Sequence, residues 1–221
     1  MRYPRGRMPI QLSADKIPWR GVLLAVQPRI RLLRSFDQRS HTYLGYVLRL
    51  QGFIGEEERE FVVAVGEGAQ SKHQFRVGDQ VSGEGVEVAD SRMETAELYK
   101  VSKLRVLSRG DERSQNKAPW HGIPPSLIVY RERGHRRLDA RTYNAKCSTC
   151  IWGCMMPVKM IIDQWNPSQK RYREETFCYG PLSCSIYKAG PIRKVPGRKG
   201  MVWEEADWVD EDAVSHRGPD D

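Results

Sequence analysis

Between Trp19 and Leu107, five stretches carry apolar side chains at every second position, and that period gives the first half of this 221-residue chain its β-structure. The stretch Trp19–Arg34 sets Val22, Leu24, Val26, Ile30 and Leu32 on one side and Gln27, Arg29 and Arg31 on the other. His41–Gln51 sets Leu44, Tyr46, Leu48 and Leu50 against Tyr43, Val47, Arg49 and Gln51. Glu60–Val65 contributes Phe61, Val63 and Val65. Gln80–Val88, interrupted by Gly83 and Gly85, predicts a fourth strand. Tyr99–Leu107 predicts a fifth, with Lys103 and Arg105 turned away from Leu104 and Val106. Between the third and fourth, Gly66–Gln74 breaks the alternation and has room for a short helix.

The turn Val77-Gly78-Asp79 leads into Gln80-Val81-Ser82-Gly83. Five strands, a connecting segment after the third and this turn into the fourth resemble an OB-fold over residues 19–107; the same Gly-Asp turn also occurs in SH3-like barrels. Gly45, Gly83 and Gly85 suit the bends of a closed small barrel. The resemblance implies binding of single-stranded or structured DNA or RNA across strands two and three and the flanking loops. The chemistry requires cations for phosphates and flat rings for bases. Arg29, Arg31, Tyr43, Arg49, Lys103 and Arg105 are the candidates on the strands, and Arg34, Phe36, Arg39 and His41 lie in or beside the first loop.

All five cysteines fall between residues 147 and 184, spaced C-x2-C-x3-C, then 23 residues, then C-x5-C. Thiol pairs drawn from two points of a chain hold zinc or an iron–sulfur cluster. A tetrahedral Zn2+ site would use Cys147, Cys150, Cys178 and Cys184, leaving Cys154 as a small core residue. A [4Fe–4S] cluster is the alternative, with Cys154 as a ligand beside Cys147 and Cys150. Leu127–Tyr130 reads as a short apolar strand before this module.

Charge is unevenly spread: net +10 over residues 111–200 and −7 over residues 201–221, within +8 overall. A basic body points to a polyanionic partner. Arg133, Arg136 and Arg137 before the cysteines, and Arg198 and Lys199 in the glycine-punctuated loop after them, join the candidate nucleic-acid contacts. The acidic tail carries Trp203 and Trp208, which would dock a protein partner or pack on the cysteine module; alternatively the tail folds back over the basic module. At the other end, Pro4-Arg5-Gly6-Arg7-Met8-Pro9 is similar to the AT-hook core, interrupted by Met8.

The expected organisation is mainly β. A basic arm spans 1–18, an OB-like barrel 19–107 and a linker 108–126. A basic, metal-stabilised α+β module then spans 127–200, and an acidic tail 201–221. No apolar run approaches the roughly 20 residues of a membrane helix, so no membrane partner is expected. No secretion-like apolar stretch follows the N-terminal arginines, and clustered cysteines suit a reducing compartment, so the expected location is cytoplasmic. The histidines are scattered, and phosphate-loop, nucleophile-elbow and zinc-protease motifs are missing. The chain therefore reads as a nucleic-acid-binding protein rather than an enzyme, with an iron–sulfur protein or a protein adaptor as the alternatives.

Overall fold

The structure, a computed structural model, describes residues 15–35, 38–111, 117–219 and 221. The AT-hook-like stretch, Phe36 and the middle of the linker lie outside the described residues. The fold is mainly β. The first half contains β1 (Ile17–Arg34), β2 (Arg39–Ile54), β3 (Glu57–Val65), α1 (Glu67–His73), β4 (Gln80–Glu87) and β5 (Leu98–Ser108). The second half contains α2 (Leu127–Arg133), β6 (Arg136–Arg137), α3 (Ala140–Thr142), β7 (Gly153–Ile161) and β8 (Lys170–Cys178). Then follow β9 (Lys194–Pro196), β10 (Val202–Glu204) and α4 (Trp208–Val214).

Five strands close on themselves. β1 runs antiparallel to β2, β2 to β3, β5 to β4 and β4 back to β1, while β3 meets β5 in parallel at Val63 and Leu98. Glycines permit the closest approaches: a Cβ on Gly45, whose φ is +128°, would stand 2.2 Å from the Val65 carbonyl oxygen. β1 is long enough to serve two neighbourhoods. Ile17–Val22 pairs with β4, and Leu32–Arg34 pairs in parallel with β7, which continues the sheet through β8 to β6.

The inward faces of β2 and β3 match the alternation, with Tyr46, Leu48, Leu50, Phe61, Val63 and Val65 buried. β1 corrects it. The register slips between Leu23 and Ala25, so Trp19 and Leu23 are buried before the slip and Val26, Ile30 and Leu32 after it. Val22 turns outward, because one extra residue reverses the side-chain phase of a strand. Leu127–Tyr130 is also corrected, from strand to helix. Leu127 and Tyr130, three apart, share the buried face of α2, while Ile128 is exposed. Four apolar residues do not distinguish the two periods.

One hydrophobic core runs through both halves. Leu48, Phe61 and Val63 of the ring belong to it together with Tyr130, Cys154, Met156, Val158 and Phe177. The linker is stitched down at both sides. Pro125 accepts a hydrogen bond from the Tyr46 hydroxyl at 2.6 Å, and Trp120 accepts one from the Ile151 N–H at 2.9 Å. Among the described residues, no helix is long and apolar enough to cross a membrane.

Candidate nucleic-acid interface and thiol cluster

Acidic residues far away in sequence take up many of the candidate cations. Glu94, in the β4–β5 connection, accepts from Arg29 Nε at 2.9 Å and from Arg31 at 2.8 Å. Burial pushes the Glu94 carboxyl up, but the two guanidiniums outweigh it and hold it below its ordinary value. Arg34, 2% exposed, lies between Glu175 at 3.0 Å and Glu205 at 2.5 Å. Glu205 also binds Arg39 at 2.5 Å, and Arg137 pairs with Asp207 and Asp210. The acidic tail thus folds back over basic residues through its carboxylates, while Trp203 and Trp208 stay 42% and 66% exposed.

Arg133 donates to the Tyr179 carbonyl at 2.8 Å and covers the Trp152 ring; Arg136 donates to the Pro181 carbonyl at 2.9 Å and covers the Tyr187 ring. Arg29, Arg34, Arg136 and Arg137 are therefore internal structural cations, not the surface contacts expected from sequence. Tyr43 lies under Arg131. Arg49 pairs with Glu60 at 3.2 Å, Lys103 with Glu84 at 2.8 Å and Arg198 with Asp163 at 3.5 Å, all nearer the surface. Arg105 and Lys199 are exposed and form no ion pair among the described residues.

A groove of about 400 Å³ opens on the ring between the start of β1, the end of β2 and the β4–β5 pair. Trp19, Arg20, Phe53, Gly83, Lys103 and Arg105 line it. The Arg20 guanidinium stands 5.0 Å from the centre of the Phe53 ring. Gly83 is required there, since a Cβ would sit 2.7 Å from the Trp19 ring. Arg20 and Phe53 escaped the sequence reading; the signal available was their place at the outward-facing ends of adjacent strands. A second pocket, of about 240 Å³, lies between the outer face of β1–β3 and the cysteine segment, with Val47, Arg49, Tyr143 and Asn144 among its walls.

Strand register gathers the cysteines. Cys178, at the end of β8, lies opposite Gly153 of β7 on one side and Arg136 of β6 on the other. The turn carrying Cys147 and Cys150 runs directly into Gly153. Cys147, Cys150 and Cys178 are buried in one cluster with Leu138 and Tyr143. Burial pushes Cys147 up to about 12, with the neighbouring Cys150, Cys178 and Cys184 thiols adding to the effect, and pushes Cys150 up to about 11. Cys154 faces the shared core instead, its Sγ 3.4 Å from the Pro28 carbonyl oxygen. All five thiols are free. Cys184 lies outside that buried cluster, and among the described residues no three His, Cys, Asp or Glu side chains form an ion cage.

Gln27 fastens this turn to the ring. The alternation placed it on the polar side of β1, yet it is 5% exposed. Its amide donates to the Cys147 and Cys150 carbonyls at 3.0 and 2.8 Å and accepts from the Tyr143 hydroxyl at 2.7 Å. No known protein family, curated protein or solved structure matches the chain.

Proposed function

We propose that the chain binds single-stranded or structured nucleic acid, that its ring is an OB-like barrel, and that the groove around Arg20, Phe53 and Arg105 is the contact surface. One observation carries the reading. The groove combines an aromatic ring with Arg20 and Arg105, neither of which pairs with a carboxylate among the described residues, whereas most other candidate cations do. A flat ring under a guanidinium offers a base a stacking partner, and unpaired cations offer phosphates a counter-charge. The ring closes through β1, β2, β3, β5 and β4, which supports the barrel reading. The cysteine segment packs against the outer face of β1–β3, so of these two pockets the groove at the other end of the ring, about 400 Å³ against about 240 Å³, is the roomier for a strand.

The test is fluorescence anisotropy with labelled single-stranded DNA and RNA across a salt series. Binding should weaken with salt, and the Arg20→Ala/Arg105→Ala protein should lose about 1.4 from the log–log slope, at roughly 0.7 per phosphate contact. No binding to either oligonucleotide at low salt would overturn the proposal. A second reading, a protein adaptor, rests on the exposed Met201, Val202, Trp203 and Trp208 at the tail. It predicts that Trp203→Ala/Trp208→Ala removes a protein contact and leaves oligonucleotide binding unchanged.

A further inference from the structure

The loop between Cys178 and Cys184 is held in an unusual way. Arg133 Nε donates to the Tyr179 carbonyl at 2.8 Å, Arg217 to that of Gly180 at 2.7 Å, and Arg136 to those of Pro181 and Leu182 at 2.9 and 3.4 Å. Its carbonyls therefore face arginines, while one of its N–H groups turns to a sulfur. The Gly180 N–H points at Cys178 Sγ, 3.4 Å away. Such bonds are weak to a neutral thiol and strong to a thiolate.

The charges point the same way. Arg136 and Arg217 are each 9% exposed. Arg136 forms no ion pair among the described residues, whereas Arg217 bonds the Asp221 backbone oxygen and Arg133 lines the same pocket as Asp221. A buried cation without an anion is costly. Four neutral thiols supply no anion, but four thiolates around a divalent ion carry a net charge of minus two, next to these arginines.

We propose that Cys147, Cys150, Cys178 and Cys184 close around one Zn2+ ion. Each thiol gives its proton to solvent as its S–Zn bond forms, and no electrons move. Zinc is the metal of choice because four thiolates satisfy its tetrahedral shell. A three-plus-one cluster pattern would draw on Cys154, which is buried in the shared core instead. The ion would lock the turn held by Gln27 to the end of β8, and thereby the second half of the chain to the ring.

The test is elemental analysis of the full chain, purified reduced and without chelator. The expected result is one zinc per chain and a colourless protein. Cobalt added to the metal-free protein should give the absorption of a tetrahedral tetrathiolate. Cys178→Ser should abolish that spectrum, Cys154→Ala should keep it, and Arg136→Gln should weaken metal retention by about 10- to 100-fold. If Cys178→Ser does not fold, the cobalt spectrum of the unmodified chain still decides. Three results would overturn the assignment: no metal and no cobalt spectrum, iron with labile sulfide, or loss of the metal in Cys154→Ala. None of these measurements involves nucleic acid, so this proposal and the preceding one fail separately.

Discussion

The two ends of β1 carry the same side chain in opposite circumstances. Arg20, at the start, is exposed and rests on Phe53 beside an open groove. Arg34, at the end, is buried between Glu175 and Glu205. The difference lies in what is packed alongside. The start of β1 borders the surface of the ring, while the end is flanked by β7 and covered by the returning tail. A positive sequence is therefore not a positive surface. Much of the basic charge of residues 127–200, and some of the ring's, is opposed by carboxylates or absorbed by carbonyls.

The comparison breaks most visibly at the buried end. Glu175 takes Arg34, Arg173 and Arg193 on a side chain that is 1% exposed. Removing its charge in Glu175→Gln leaves clustered guanidiniums unopposed and should cost about 3–5 kcal/mol, read from the urea midpoint at constant slope. Removing the charge of Arg20 should leave the urea midpoint nearly unchanged, within about 0.5 kcal/mol.

Acid should act on the same end. His41 and His135 meet there with ring centres 4.4 Å apart and planes tilted by 52°. Burial first, then Arg39 and Arg34, lower His41 to about 4 against the opposing pull of Glu205, and burial also holds His135 well below its ordinary value. The unfolded chain binds a proton on His41 below about pH 6.5, and the folded chain does not until about pH 4. Stability is therefore full above that window and falls as pH drops through it, by about 3 kcal/mol for His41. Urea titrations at successive pH values should show this fall, and His41→Gln should reduce it, leaving the share that His135 contributes.

At the open end, Gly83→Ala forces a methyl group against the Trp19 ring and should cost about 1–3 kcal/mol of stability. Phe53→Ala tests function there instead. Each base stacked on that ring should lose about 1–3 kcal/mol of binding, with the urea midpoint little changed. The smallest expected effect is that of Arg105→Ala, a drop of about 0.7 in the salt slope of oligonucleotide binding. If Arg105→Ala left that slope unchanged while replacement of the ion-paired Arg39 reduced it, the assignment of free and paired cations would be reversed.

The strands of the ring, the helix between the third and fourth and the inward faces of β2 and β3 were legible in the chain. Alternation is a local property, and burial of one face follows from it. The cysteine spacing pointed to two segments meeting, and Cys147, Cys150 and Cys178 share one buried cluster; their closing on a metal is the proposal above. Tertiary structure decided the rest. The slip at Leu24, the turning inward of Gln27 and the helical state of Leu127–Arg133 depend on what packs against them. The fate of several arginines depends on carboxylates far away in sequence, 63 positions for Arg31–Glu94 and 171 for Arg34–Glu205. Composition counts charges, but which of them meet water is set by the separations and burial that folding creates.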